Sequence, residues 1–406
     1  MLRSLFSGIS GLRAHQQMMD VTGNNIANVN TVGFKSSQTV FEDTLSQMLK
    51  GASSPQNNIG GTNPAQVGLG VQLAGIATNF GQGAAEVTGR STDLMINGDG
   101  FFVVKNGNEQ LYTRAGSFSF DTNGTLVDPN GHPIQGWAAT AGVVNTKATP
   151  SDVTLPIATL LAPTPTSTTT IGGNLPGDDT NFTTPTTLVK TIKAYDQQGI
   201  PVTLSATFTH TSATTWDVAI ALPLPSGASA TQTMTFLPDG TLDTATTPTP
   251  FVVGAAGTTS AITVDFSTLT NFAGPDTSGV QAQNGFAMGS LQGFSIGGDG
   301  ILVGVFSNGL KQNLAQIALA SFNNPPGLEK TGDSLYRSTS NSGVPQLGMA
   351  GAGGRGQLQG NTLEMSNVDL AQEFTNMVIA QRGFEANAKV ITTSDELLND
   401  LINLKR

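Results

Sequence analysis

Leu2, Leu5, Ile9, Leu12, Met19 and Ile26 recur in alternating steps of three and four, with Gln16 and Gly23 as lapses. The spacing predicts a helix carrying one narrow apolar seam. At the far end the rhythm returns in Leu370, Phe374, Met377, Phe384, Ala388, Ile391, Leu398 and Ile402, with lapses at Gln381 and Asp395. Ser366 and Asp369 precede it at capping-box spacing, which predicts a helix over 366–405, about 60 Å long at 1.5 Å per residue. A seam so thin cannot form a core of its own. Both ends are therefore expected to pair, with each other and with neighbouring helices.

Between the ends the period changes. Residues 22–35 are dense in Asn, Gly and Thr and predict a bend. Phe41, Leu45 and Met48 share one face of a predicted short amphipathic helix that ends at Lys50-Gly51, and 52–70 reads as extended loop. Short strands follow at 101–104, 111–113 and 118–120, separated by Asn106-Gly107, Asn123-Gly124 and Asn130-Gly131, dipeptides suited to tight hairpins. Ile96-Asn97-Gly98-Asp99-Gly100-Phe101 returns as Ile296-Gly297-Gly298-Asp299-Gly300-Ile301, as though two halves of one domain flank an insertion. Thr/Pro/Ala/Ser tracts at 138–185 and 243–250 mark that insertion. Within it Val202, Leu204, Ala206 and Phe208 alternate, as do Trp216, Val218, Ile220 and Leu222, and Ile262, Val264 and Phe266, each in the manner of a half-buried strand.

The expected fold class is multidomain α+β: N- and C-terminal α-helices pairing as a coiled coil, with two nested, mainly antiparallel all-β domains. The expected boundaries are 1–30 and 362–406 for the helical assembly domain, 31–70 and 348–361 for connecting segments, 71–144 and 285–347 for the inner β domain, and 145–284 for the inserted outer one. A length of 406 residues agrees with more than one core. Only 11% of residues are charged, against about 25% in ordinary soluble domains, so the surface interacts mainly by hydrogen bonds. The net charge of −10 comes without a basic cluster, which argues against nucleic acid. There is no cysteine to supply disulfides, thiolates or metal ligands. Ser4, Ser7, Gly8, Ser10 and Gly11 interrupt any signal-peptide core after Arg3, and no run is long enough to span a bilayer, so export would use another route.

Catalytic chemistry finds little to stand on. His15, His132 and His210 lie in three regions, none with acidic or histidine partners at ligand spacing. Gly98-Asp99-Gly100 has Val103 where a dinucleotide fingerprint needs its third glycine, and no helix follows. Asp121, Asn123 and Asp128 imitate part of a calcium loop, but the glycine comes two places early and no closing Glu follows. The carboxylate pairs Glu42-Asp43 and Asp395-Glu396 read as solvated helix faces. No catalytic, cofactor-binding or metal-ligating residue is assigned.

The motif residues point elsewhere. Asn24-Asn25-Ile26-Ala27-Asn28, followed by Thr31, Gly33, Phe34 and Lys35, resembles the N-terminal motif of the bacterial flagellar rod and hook axial proteins. Leu363-Glu364-Met365-Ser366-Asn367-Val368-Asp369-Leu370 and Gln381-Arg382-Gly383-Phe384-Glu385-Ala386-Asn387 resemble the C-terminal motif of that family. Asp99-Gly100-Phe101-Phe102, Tyr112-Thr113-Arg114-Ala115-Gly116-Ser117-Phe118 and Gly136-Trp137 resemble its shared β domain. Tyr195-Asp196-Gln197-Gln198-Gly199, with the strand to Phe208 and Trp216, is similar to the outer domain of the hook members.

The resemblance implies a non-enzymatic, extracellular structural polymer: the curved, flexible tube that passes torque from rod to filament and encloses the export channel. A distal rod subunit is the alternative, and a β-rich surface adhesin a more distant one. The implied partners are further copies of the chain, the distal rod protein, the hook cap protein, the hook-filament junction protein and the flagellar export apparatus. The implied assembly seam is Leu2, Leu5, Ile9, Leu12, Met19, Ile26, Leu370, Phe374, Met377, Phe384, Ile391, Leu398 and Ile402.

Overall fold

The computed structural model describes residues 2–55, 60–156, 160–177, 186–221, 229–245, 251–253 and 262–403. The chain forms two compact units. The first comprises residues 1–155, 295–303 and 313–406, and the second residues 156–294 and 304–312.

In the first unit, helix α1 (Leu2–Ala27) and helix α2 (Leu370–Asn403) run antiparallel. α1 ends where Asn28 donates its side-chain amide to the Asn24 carbonyl at 2.9 Å and Thr31 Oγ1 donates to Asn28 Oδ1 at 3.0 Å, which satisfies the helix end and turns the chain. α2 starts later than the capping-box spacing predicts. Asp369 is itself the cap, its Oδ1 accepting from the N–H groups of Ala371 (2.9 Å) and Gln372 (3.2 Å), while Ser366 lies outside the helix. At 34 residues α2 is about 51 Å long.

The helix predicted around Phe41, Leu45 and Met48 is a β-ribbon. Ser37–Asp43 pairs antiparallel with Val71–Thr78, and Ser46–Lys50 with Ala65–Gly68. The helical spacing of three apolar residues loses to the pairing of the strand at 71–78, whose backbone groups would otherwise lack partners over most of their length.

The core of the unit is a six-stranded sheet in the order Glu329–Gly332, Leu335–Arg337, Glu109–Thr113, Phe101–Asn106, Leu319–Ser321, Gln346–Gly348. Phe101, Phe102, Val103 and Val104 are all buried, so this strand is covered on both faces, which is why it reads as an unbroken apolar run. Edge-to-face ring pairs bind the layers, among them Tyr112 with Phe322 at 4.8 Å and Phe102 with Phe118 at 5.0 Å. The repeated Gly-Asp-Gly turns have a shared purpose. Gly356 N–H donates to Asp99 O at 2.6 Å and Leu358 N–H to Gly298 O at 2.9 Å, so the two turns flank and hold the strand Gln357–Gly360.

The second unit contains a four-stranded antiparallel meander, Thr187–Tyr195, Pro201–Ser212, Thr215–Ala221 and Ser229–Thr235, and a second sheet built around Thr168–Asn174. The alternation read from the sequence is the burial pattern: Leu204, Ala206, Phe208, Trp216, Val218 and Ile220 are buried, with Ile262, Val264 and Phe266 in the same core, and Leu222 lies outside the described residues. Among the described residues Thr168–Asn174 departs from antiparallel order, pairing parallel with Ile262–Asp265 and with Leu269–Thr270. Phe208 packs edge-to-face on Phe266 at 6.3 Å in this core. Phe208→Ala should destabilise the second unit by about 3–5 kcal/mol. Hydrogen exchange should accelerate across its strands and leave 94–113 unchanged.

Candidate functional site

α1 and α2 meet along a face of small and polar residues. Ser4 Oγ lies 3.5 Å from Ser394 Oγ. Gly8 packs against Ile391 and Gly11 against Asn387, where an added Cβ would stand 2.7 Å from the amide oxygen. A Cβ at Gly383 would stand 2.5 Å from the His15 ring. Ala14, Thr22, Asn25, Ala380 and Ser394 are buried along this line. Small side chains let the helix backbones approach closely, so this contact rests on shape more than on apolar area.

This is not the seam that the apolar spacing predicts. The predicted stripe lies beside the shared face, and Ile391 belongs to both. Ile9, Leu370, Phe374, Phe384 and Ile402 are exposed; Leu5, Leu12, Met19, Ile26, Met377, Ile391 and Leu398 are half-buried; the Leu2 side chain lies outside the described residues. The spacing of large apolar positions marks a neighbouring, only partly covered face and passes over glycine and serine at the same spacing one position earlier. Ser4, Gly8, Gly11, His15 and Asn387 are legible only as that second, offset three-four series.

At the root of the helices the terminal motifs converge on one buried ion cluster. The Lys35 and Glu364 side chains are both 0% exposed and lie 2.7 Å apart, Nζ to Oε1. Glu364 Oε1 also accepts from Gly83 N–H at 2.9 Å, and Oε2 faces Arg114 Nη1 at 3.5 Å. The cations also donate to carbonyls, Lys35 to Gly81 O at 2.8 Å and Arg114 Nη1 to Gly98 O at 2.9 Å, with the guanidinium 5.2 Å from the centre of the Phe101 ring and Arg114 Nε buried without a hydrogen-bond partner among the described residues. Burial holds both Lys35 and Arg114 below their ordinary pKa values, and the Glu364 carboxylate opposes that shift. Burial likewise pushes the neighbouring Tyr336 hydroxyl well up.

Backbone and amide contacts extend the joint. Gly33 N–H donates to Glu364 O at 2.7 Å, and Gly33 has φ +67° with Ala115 N only 2.5 Å from where a Cβ would be, so only glycine fits. Asn25 clamps three elements: it bonds Ser37 O (2.7 Å) and Ser37 N–H (3.0 Å) and donates to Glu373 Oε1 (3.1 Å). Asn367 accepts from Ser36 N–H at 2.8 Å and donates to Asn79 O and Gly81 O. Lys330 donates to Lys35 O at 3.1 Å and lies 5.0 Å from the centre of the Phe34 ring. Asn24 and Asn28 form the helix stop, Thr31 braces Asn28, and Ala27 is exposed beside it. The motif residues thus come together, joined by Arg114, Glu364 and Asn367.

The groups weighed for catalysis have structural occupations. Asp121 and Asp128 accept backbone N–H groups of their own turns, and His132 Nδ1 lies 2.8 Å from Asp128 Oδ2. His210 stacks on Trp216 at 4.4 Å. Among the described residues no group of three His, Cys, Asp or Glu is placed to hold a metal ion.

Antiparallel terminal helices, rooted by a buried ion cluster on a β domain that a second β domain interrupts, define an axial protein of the bacterial flagellum, and four family matches tile the chain accordingly. Flagella basal body rod protein matches residues 5–35, Flagellar hook protein FlgE/F/G D1 domain 95–173, Flagellar basal body protein FlaE D2 domain 166–286, and Flagellar basal body rod FlgEFG protein C-terminal 359–404. Flagellar hook protein FlgE of Treponema pallidum is 39% identical over 100% of both chains, and that of Salmonella typhimurium is 35% identical over 99% of this chain and 100% of its own. The crystal structure of Helicobacter pylori flagellar hook protein FlgE2 has a similar fold, with TM-score 0.55 and 15% identity over 69% of this chain and 100% of that one. The chain belongs to the flagellar hook protein FlgE family.

Glu364→Gln strands two buried cations and should cost about 3–5 kcal/mol, whereas Lys35→Met leaves Glu364 paired with Arg114 and should cost clearly less. Urea unfolding of the first unit, followed by Trp137 fluorescence, checks the order.

Proposed function

We propose that this chain is the structural subunit of a bacterial flagellar hook. The observation that carries the reading is the set of large apolar side chains left uncovered on the terminal helices, Ile9 on α1 and Leu370, Phe374, Phe384 and Ile402 on α2. Phe374 is 53% exposed and Ile402 67%, while the helices spend a different face on each other. In a polymer these side chains pack on the helices of neighbouring copies, and a head-to-tail contact that does not close produces a helical tube. The ribbon adds to the argument, because in Ser46–Lys50 and Ala65–Gly68 every residue is exposed, Leu45 and Met48 stand in solvent, and an isolated two-stranded ribbon is marginal in water.

In this reading the helical assembly domain (1–30 and 362–406) lines the export channel, the inner β domain surrounds it, and residues 145–284 face outward. The partners are further copies of the chain, the distal rod protein, the hook cap protein, the hook-filament junction protein and the export apparatus that secretes the chain without a cleaved signal. A distal rod role is the second reading, because the Bacillus subtilis flagellar basal-body rod protein FlgG is 33% identical over 100% of both chains. The higher identity to hook proteins, 39% and 35% against 33%, favours the hook.

Ile9→Asp places a carboxylate where Ile9 is 38% exposed in the monomer, so it still reaches water there, and costs several kcal/mol, about 2–7, once neighbours bury it unpaired. The mutant should fold with unchanged circular dichroism and form no tubes; tubes of normal length and number would reject the stripe. Immuno-electron microscopy with an antibody against residues 145–284 should label a short curved segment at the filament base on intact cells. Label seen only on extracted basal bodies would favour the rod, and label over the whole cell an adhesin.

A further inference from the structure

The sequence contains six Asn-Gly pairs, beginning at Asn97, Asn106, Asn123, Asn130, Asn284 and Asn308. The dipeptide is chemically labile, because glycine places no side chain between its backbone nitrogen and the preceding carboxamide. The fold protects five of the six. The N–H of Gly98 donates to Gln82 Oε1 at 3.2 Å, and those of Gly124, Gly131 and Gly309 donate to the carbonyls of Asp121, Asp128 and Phe306 at 2.9–3.0 Å. Asn284 is held through its side chain, which accepts from the N–H groups of Ser167 and Thr168 and donates to Ser167 Oγ at 2.7 Å.

Asn106-Gly107 is different. It closes the hairpin between Phe101–Asn106 and Glu109–Thr113, with Asn106 opposite Glu109. Both residues are exposed, no atom lies within 4 Å of a Cβ placed on Gly107, and among the described residues neither the Gly107 N–H nor the Asn106 carboxamide has a hydrogen-bond partner. A free N–H ionises more readily than one held by a carbonyl, and an unheld carboxamide can turn toward it.

We propose that Asn106 is a self-modification site that deamidates selectively in the folded chain. Hydroxide removes the Gly107 amide proton and the nitrogen attacks Asn106 Cγ. The new N–C bond forms as the C–N bond of the carboxamide breaks, and the leaving group takes a proton from water to depart as ammonia. Water then opens the resulting succinimide at either carbonyl, leaving aspartate or isoaspartate at 106. Nothing is oxidised or reduced, and water is the only co-reactant. The product matters to the hairpin. A carboxylate at 106 stands opposite Glu109, a like-charge cross-strand pair, and competes for the Arg337 guanidinium that Glu109 now holds. Isoaspartate also lengthens the backbone at the end of the central buried strand.

Purified full-length protein held in mildly alkaline buffer, sampled over time and mapped by peptide mass spectrometry, tests this. Asn106 should convert about ten-fold faster than Asn123 or Asn130, the ratio set by about 1.4 kcal/mol of hydrogen bonding on their glycine N–H groups. In urea the ratio should fall toward one, and N106Q should abolish conversion at this hairpin only. Equal rates in the folded chain would overturn the proposal. So would a preference for Asn106 that persists in urea, which would trace the selectivity to local sequence, or the absence of conversion at Asn106 in both states.

Discussion

The Glu364 carboxylate is the constraint on which the first unit depends. It faces two cations and a backbone N–H in a fully buried place, and it pairs with both cations only when both chain ends are seated there. Lys35 and Glu364 are 329 residues apart in sequence. Closing a flexible loop of that size costs about 5 kcal/mol of chain entropy before any contact repays it. Strand pairing removes most of that cost, since Ser37 pairs with Thr78 and Ala85 with Glu364, which leaves only residues 35–37 and 78–85 to be closed. The joint therefore presupposes a folded β domain. Buried charge is a poor source of net stability, so what the cluster contributes is register: a slip of either terminal motif leaves a cation unpaired.

That register sets the phase of the helix pair. Asn25 lies ten positions before Lys35 and Glu373 nine after Glu364, and they bond to each other, which starts the two helices in a fixed orientation. The phase sends glycine, serine, alanine and asparagine inward and leaves Ile9, Phe374, Phe384 and Ile402 exposed. The two faces thus have different tasks: the small-residue face sets the distance between α1 and α2, and the large-residue face remains for association.

Much of this is legible in the sequence, and the failures are physical. Alternation around Phe208 and Trp216 announces half-buried strands because a pleated strand has period two whatever its neighbours. The run at Phe101 to Val104 marks a strand buried on both sides. The ribbon at 37–78 escapes such reading because three apolar residues at helical spacing say nothing about a pairing partner thirty residues on. Spacing alone does not set the start of α2 either, since Ser366 and Asp369 offer two caps and Asn367, bonded to Ser36, Asn79 and Gly81, holds the first outside the helix. Lys35, Arg114 and Glu364 are visible only as separate motif residues. No local pattern foretells that charges from three distant segments share one cavity.

The helix pair has a further property under the proposed function. A face lined by Gly8, Gly11, Gly383 and Asn387 buries little apolar surface, and apolar burial is the main source of helix stability in water. The roots of the helices are fixed by the joint, but toward Ser4 and Ser394 that support is more than 30 Å away, at about 1.5 Å per helical residue. Those far ends must draw their stability from whatever covers the exposed Phe6, Leu397 and Ile402. Binding that favours the ordered state stabilises it in proportion to the logarithm of partner concentration. Under the proposed function, order at the chain ends is then coupled to assembly.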